Sequence, residues 1–302
     1  MGLLSSSGQQ VREGTALGQK APPLAGTDLT GKRLSLGGLR GGFVMLTFWT
    51  PECLLCLKEL PVYDSYYRNV GPKKLRLVGV LLDRDLSKDE VRTLVNKRGY
   101  SFPVVSFTGR DRLQVMKDWK VVATPTNYLV NPEGVIVLKD FFGTEGMALV
   151  QKIVDKQPDF VPPEMDLETT LTVGGQMMSY RVTIPEASGR YSFRFRSAAQ
   201  YVDETGERSG FEEIAPVTLS LAKDARGVLV AEAALENKDI TGKPAKLSNS
   251  SLVRVGAKRI GHTVYLEVDL PLPARAPLVL AEVKYYSEPL NAYIVLDSGY
   301  PS

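Results

Sequence analysis

An α/β domain followed by an all-β sandwich is the fold class this sequence predicts, and three observations predict it. Over residues 1–157, apolar runs of strand length alternate with 3.6-period stretches long enough for helices, as in a sheet covered by helices. A linker follows at 158–165, where Pro158, Pro162 and Pro163 make the chain extended and semi-rigid. From 166 to 302 the helical period gives way to short alternating runs separated by turn residues, the pattern of a β-sandwich.

The elements of the first part read in order. Leu24 to Leu29 and Arg33 to Leu36 form two short strands across Thr30-Gly31-Lys32. Phe43 to Trp49 is a continuous apolar run, as expected of a strand buried on both faces. A helix runs from about Leu54 to Asn69, with Pro61 inside it at the expense of one hydrogen bond. Leu75 to Leu82 is a second buried strand. Ser87 and Glu90 then match a capping box that opens a helix from Lys88 to about Arg98.

Pro103 marks the extended piece from Tyr100 to Phe107 as an edge or connecting strand. A short helix fits Asp111 to Asp118. A hairpin of Thr126 to Val130 and Val135 to Phe142 turns at Asn131-Pro132-Glu133-Gly134, and a last helix spans about Gly146 to Lys156. The second part reads as strands at Leu167 to Val173, Met178 to Ile184, Arg190 to Arg196, Val217 to Leu221, Val228 to Leu235, Leu252 to Val255, Thr263 to Leu270, Leu278 to Tyr286 and Ala292 to Leu296.

Composition narrows the function classes. With 43% hydrophobic and 24% charged residues, 302 residues build two ordinary cores. A net charge of +3 without a dense Lys/Arg block argues against nucleic acid and anionic membrane as partners. Met1 to Gly18 is polar, without the basic flank and apolar run of a signal peptide, and no stretch reaches the roughly 18 apolar residues of a membrane span.

The chemistry concentrates in Thr50-Pro51-Glu52-Cys53-Leu54-Leu55-Cys56, which holds both cysteines and joins the strand ending at Trp49 to the helix. A thiolate at a helix start is stabilised by unpaired N–H groups and the macrodipole, which favours Cys53 as the reactive sulfur. Cys56, one turn further in, is placed to attack a mixed disulfide on Cys53. A zinc site needs about four ligands, which two Cys and the single, remote His262 do not supply. A purely structural disulfide closes too short a loop to stabilise much.

Phe43 to Trp49 leading into Cys53-x-x-Cys56 resembles thioredoxin-fold proteins. Lys58-Glu59-Leu60-Pro61 and Ala123-Thr124-Pro125-Thr126-Asn127-Tyr128-Leu129-Val130-Asn131-Pro132-Glu133-Gly134 resemble their TlpA/ResA branch of extracytoplasmic thiol-disulfide oxidoreductases. The resemblance implies that residues 1–157 form a thioredoxin-like redox domain and that Pro125 is a cis proline facing the cysteines. It further implies that Thr124 and Pro125 hold the partner's backbone, and that Cys53 attacks while Cys56 resolves.

The family implies no bound cofactor, protein thiols and disulfides as substrates, an upstream redox donor, and by analogy a reducing role. On the residues alone either the protein is cytosolic or an export signal or anchor has been removed, and the resemblance implies the second, an extracytoplasmic setting. Two positions depart from the family pattern: Glu52 stands where Trp is usual, and Leu54-Leu55 replaces a pair that usually includes Pro. A carboxylate beside Cys53 opposes thiolate formation, and the leucines add no compensating charge.

The remaining polar candidates have quieter readings. Glu59, one turn beyond Cys56, is a solvated residue or a proton relay; Asp83 and Asp85, ending a strand, are a solvated loop or a relay. His262 lacks a catalytic or metal-ligating partner pattern. Arg190, Arg194 and Arg196, like Tyr285, Tyr286 and Tyr293, fit a polar sheet face and good strand formers, or else a platform for an acidic or sugar ligand. Two other functions fit the sequence. One is a peroxidase using Thr50-x-x-Cys53, although Leu46 stands where peroxiredoxins carry Pro. The other is a non-enzymatic assembly protein whose β domain docks a partner or glycan.

Overall fold

The computed structural model describes residues 12–71, 73–83, 86–162, 164, 168–174, 177–185, 190–202, 208–213, 217–226, 229–234, 254–260, 263–271 and 278–297. The chain divides into two units, residues 1–164 and 165–302.

In the first unit, β1 (Ala25–Thr27) and β2 (Arg33–Ser35) form an antiparallel hairpin, with Asp28 closing the turn by accepting from the N–H groups of Thr30 and Lys32. The main sheet contains β3 (Phe43–Trp49), β4 (Leu75–Leu82), β5 (Val104–Phe107), β6 (Thr126–Val130) and β7 (Ile136–Lys139), in the order β5-β4-β3-β6-β7. β3, β4 and β5 run parallel, while β6 and β7 run antiparallel to their neighbours. Every residue of β3 is buried, so its apolar run reflects two covered faces. The Pro103 signal is met, since β5 is the edge strand.

Among the described residues of this unit the α-helices are α1 (Leu54–Val70), α2 (Lys88–Arg98) and α3 (Gly109–Asp118), which connect successive strands, and α4 (Gly143–Lys156), which follows β7. The capping box is present at α2: the Glu90 N–H donates to Ser87 Oγ while the Ser87 N–H donates to Glu90, and Gly99 ends the helix at φ +68°, a left-handed conformation that suits glycine. α1 continues through Pro61. Its second half is fixed by Asp64, whose buried carboxylate accepts from the Ser101 N–H at 2.8 Å and pairs with Arg68 one turn on. α4 begins three residues earlier than its local pattern predicts, because its cap comes from a side chain 84 residues away, Glu59.

Packing is close around Gly79 of β4. A Cβ on Gly79 would lie 2.9 Å from the Phe102 ring and 3.3 Å from Trp49 Nε1, so the absence of a side chain there lets the two rings close in. Trp49 meets Tyr100 edge-on, and Tyr100 stacks on Phe102 at 5.2 Å. Phe48, next to Trp49 in β3 and therefore on the opposite face of the sheet, forms an aromatic triad with Trp119 and Tyr128. Glu164, past the prolines, returns to the unit's first described residues: it accepts from Arg12 Nε at 2.6 Å and Gln19 Nε2 at 3.0 Å. Residues 18–21 are themselves bonded to the β7 side of the sheet through Gly134 and Ile136.

The second unit contains two antiparallel sheets. One orders β13 (Leu229–Ala234), β12 (Val217–Lys223), β10 (Arg190–Val202), β16 (Leu278–Ser287) and β17 (Ala292–Asp297), with β11 (Arg208–Glu213) pairing the far half of β10. The other orders β14 (Arg254–Ile260), β15 (Thr263–Pro271), β9 (Met177–Pro185) and β8 (Glu168–Gly174). β11 escaped the sequence pattern because Arg208-Ser-Gly-Phe-Glu-Glu213 has one apolar residue and no alternation. Period two is clear where side chains are described: Tyr191, Phe193, Val283, Tyr285 and Ile294 are buried, while Arg190, Arg194, Lys284 and Tyr293 face outward.

Candidate active site

The site forms where β3 ends and α1 begins. Cys53 is the N-cap of α1, in extended conformation, and the Cys56 N–H donates to its Sγ at 3.0 Å. The two cysteines form a disulfide across one helical turn, with Cα atoms 5.2 Å apart. They differ in access: Cys53 is half-buried, whereas Cys56 is fully buried against the sheet.

The second wall is the loop before β6. The Thr124–Pro125 peptide bond is cis, and the Thr124 carbonyl oxygen lies 3.3 Å from Cys53 Sγ. The loop is held from within, since Thr126 Oγ1 donates to the Ala123 carbonyl at 2.7 Å and the buried Pro125 precedes a fully buried strand. Behind it, Tyr128 Oη donates to the Trp119 carbonyl, which fixes the end of α3 against β6. The structure thus brings together Cys53, Cys56, Thr124 and Pro125, residues spread over more than seventy positions of chain.

Glu59 is not simply solvated. It is half-buried, and its carboxylate accepts from the Gly143 N–H at 2.6 Å, capping α4, and from the hydroxyl of Tyr63. Tyr63 in turn accepts from Asn127 Nδ2 at 2.9 Å, and the same amide nitrogen donates to the Phe141 carbonyl at 2.7 Å. Burial, reinforced by the neighbouring Glu59 carboxylate, raises the Tyr63 phenol far above its ordinary value, so it stays a neutral donor. Tyr63 and Asn127 were missed by sequence reasoning. An amide inside the otherwise apolar buried run of β6 was the available signal, because such a group must find partners.

Asp83 is buried just past β4, on the same sheet edge as the cysteines since Leu81 pairs with Trp49. It accepts from the Leu86 N–H at 2.9 Å and closes the turn into α2, where the sequence pointed to an open loop. Asp85 and Arg84 lie outside the described residues, as does His262. In the second unit Arg190 sits 4.8 Å over the Tyr286 ring, which meets Tyr293 edge-on at 5.3 Å; the backbone of Arg196 belongs to β10. Arg190, Tyr286 and Tyr293 occupy an outward sheet face. Among the described residues no three His, Cys, Asp or Glu side chains converge as metal ligands, and no helix is long and apolar enough to cross a membrane.

The chain resembles known proteins through its first unit. The model of the AhpC/TSA family matches residues 17–139. The thiol-disulfide oxidoreductase ResA of Bacillus subtilis (strain 168) is 35% identical over 126 residues, covering 42% of this chain and 68% of the relative. ResA of Bacillus anthracis is 32% identical over 126 residues, covering 42% and 70%. Among solved structures, the thioredoxin domain of a thiol-disulfide oxidoreductase from Bacteroides vulgatus is 29% identical, covers 46% of this chain and 99% of its own, and has a TM-score of 0.43. StoA from Bacillus subtilis is 24% identical, covers 42% and 93%, and has a TM-score of 0.36.

Proposed function

Because the chain belongs to the ResA-type family of thiol-disulfide oxidoreductases, we propose that its Cys53–Cys56 pair reduces disulfides in partner proteins. The observation that carries this reading is the asymmetry of the pair: a half-exposed sulfur at the N-cap of α1 beside the Thr124 carbonyl, and a fully buried sulfur one turn behind it.

In the reduced protein the Cys53 thiolate is favoured by the N–H groups of the first turn. It attacks one sulfur of a partner disulfide; the other partner sulfur leaves as a thiolate and takes a proton from water. Thr124 and Pro125 hold the partner's backbone during this step. Cys56, after losing its proton, then attacks Cys53 Sγ, and the second partner sulfur departs and is protonated. Two electrons have moved from the cysteine pair to the partner, with no cofactor besides the pair itself. A dithiol donor protein restores the reduced state.

Support for a proton path from the buried Cys56 comes from Glu59, one turn away on α1 and bonded to Tyr63, with the buried Asp83 at the end of β4 as another acid; Asp85 is a further candidate from the sequence alone. We assign the protein to an extracytoplasmic compartment, where substrate disulfides persist. We read the two sheets of the second unit as a sandwich that docks a protein partner or a glycan. Equilibration against glutathione buffers with thiol counting tests the direction: a potential near about −270 mV supports a reductant, and one near about −120 mV overturns it.

The AhpC/TSA match favours peroxide reduction as a second reading, with Thr50-x-x-Cys53 as the reactive motif. Hydrogen peroxide consumption by the reduced protein, compared with its rate on protein disulfides, separates the two.

A further inference from the structure

We infer that a cavity beside the first residues of β4 binds the phosphate group of a small phosphorylated ligand, with Arg76, Arg33, Lys32 and Tyr67 as donors. The site is separate from the cysteines. Arg76 pairs in register with Val44 near the start of β3, whereas the reacting sulfurs follow Trp49 at the other end of that strand.

The observation that points to a ligand is Arg76. It is the half-buried member of a strand whose other seven residues are buried, and its guanidinium donates one N–H to the Leu39 carbonyl at 2.7 Å. Among the described residues it forms no ion pair. An arginine withdrawn from water carries five N–H donors and a permanent charge, and such a group is normally met by an acid. Here the place of the acid is open. Pairing of β4 with β5 begins only at Gly79, so Arg76, Leu77 and Val78 border a cavity of about 410 Å³ instead of a neighbouring strand. That volume falls in the range of roughly 300–1,000 Å³ found for small-molecule sites.

The other walls add donors of the same sign. The β1–β2 hairpin contributes Lys32 and Arg33, both exposed and neither in an ion pair among the described residues. From α1 comes the half-buried Tyr67, whose hydroxyl has no hydrogen-bond partner among them. Burial raises the Tyr67 phenol above its ordinary value, against the opposing pull of the Arg76 guanidinium, so the hydroxyl keeps its proton and can donate. Asp28, the acid in the lining, has Oδ1 committed to the N–H groups of Thr30 and Lys32 and to the Thr30 hydroxyl.

Three cations against one carboxylate leave the lining with a net charge of +2. A phosphate monoester carries about −1.5 to −2 at neutral pH and concentrates it on three acceptor oxygens, which matches that excess; a single carboxylate neutralises half of it. Leu34, Leu77 and Pro103 supply apolar lining beside the charges, so the rest of the ligand is an apolar body.

The test is calorimetric titration of the full chain with phenyl phosphate, which joins a dianionic head to an apolar ring. Phenylacetate keeps the ring with a single charge, and inorganic phosphate keeps the charge without the ring. Phenyl phosphate is expected to bind once per chain, at least about tenfold more tightly than phenylacetate and several-fold more tightly than inorganic phosphate. Arg33→Gln and Tyr67→Phe should each weaken it several-fold, and Arg76→Gln by about tenfold or more. Arg110→Gln, which changes an exposed arginine of α3 outside the cavity, should leave the affinity unchanged. Arg33 is exposed and Tyr67→Phe removes one oxygen, so those two variants keep the test decisive even where Arg76→Gln folds poorly.

Absence of saturable binding overturns the inference. Equal affinity for phenylacetate overturns it as well, since the site would then take carboxylates or apolar rings in general. Binding that both Arg33→Gln and Tyr67→Phe leave untouched marks an adventitious ion only, and the inference fails. None of these outcomes bears on disulfide exchange at Cys53, which is measured separately.

Discussion

The sulfur of Cys53 lies 3.3 Å from the carbonyl oxygen of Thr124, the residue that precedes the cis proline. In the disulfide the sulfur has no proton to give, so this is a contact; in the dithiol the same geometry lets the Cys53 thiol donate to that carbonyl. The partner-holding loop and the attacking sulfur are thus one assembly. Replacing Cys56 by Ser should leave a protein that attacks disulfides and cannot release them, so partners accumulate as reducible adducts on non-reducing gels. Cys53→Ser should trap none, and adducts on Cys53→Ser alone would invert the roles.

Glu59 joins the active-site helix to α4 through the Gly143 N–H and to β6 through Tyr63 and Asn127. Glu59→Ala should destabilise the first unit by about 1–2 kcal/mol, the loss of a helix cap and of a partner for a buried hydroxyl. Glu59→Gln keeps an acceptor for both donors and should recover at least half. Tryptophan fluorescence in urea reports this cleanly, because both tryptophans, Trp49 and Trp119, belong to the first unit. Equal losses for the two variants would refute the capping role.

Asp64 is a second buried carboxylate with a different partner balance. Its ion-pair partner Arg68 has a mostly exposed side chain, which can return to water when Asp64 is removed, while the part-buried hydrogen bonds from the Ser101 N–H and hydroxyl to the buried Asp64 carboxylate are lost. Asp64→Ala is therefore expected to cost about 2 kcal/mol, the loss of those hydrogen bonds and not the exposure of a buried lone charge. Arg68→Ala should cost much less, and a reversed order in urea midpoints would contradict the assignment.

Gly79→Ala places a methyl 2.9 Å from the Phe102 ring, an overpacking that should cost about 1–3 kcal/mol. Combining it with Phe102→Leu should recover part of the loss, making the pair non-additive. Additive losses would show that the strain is elsewhere.

Acid should loosen the contact between the linker and residues 12–20. The hydrogen bond from Gln19, aided by Arg12, holds the Glu164 carboxyl below its ordinary value. A depressed carboxyl contributes stability that is fully present above the unfolded pKa of about 4.3 and is lost as pH falls through the folded value. The group is largely solvated, so the contribution is about 0.5 kcal/mol. In Glu164→Gln the stability difference from the native protein should shrink as pH falls from 5 toward about 3; a difference that grows over that range would reverse the sign.

How much was legible in the sequence follows from how local each signal is. β3 and β4 match their apolar runs residue for residue, and α2 matches its capping box, because those signals lie within the elements themselves. The cysteines and the Thr124–Pro125 loop were legible through motif resemblance. The start of α4 was not, since its cap is contributed by Glu59 from α1, and neither was the burial of Asp83, which closes a turn. Asn127 and Tyr63 meet only in three dimensions, from β6 and α1. β11 was hidden because a strand paired at one end of a long neighbour needs no apolar alternation of its own.

The knot of Arg12, Gln19 and Glu164 also sets a load path. A chain pulled at residue 12 and at the end of the linker feels the force at two points that are already bonded to each other. Tension of that kind is borne by three side chains and by the backbone bonds of residues 18–21 to Gly134 and Ile136 at the β7 side of the sheet, and neither β3 nor α1 contributes to those bonds. The geometry of Cys53 and Thr124 is therefore mechanically shielded from tugging between the N-terminal strap and whatever the second unit holds, until that clasp opens.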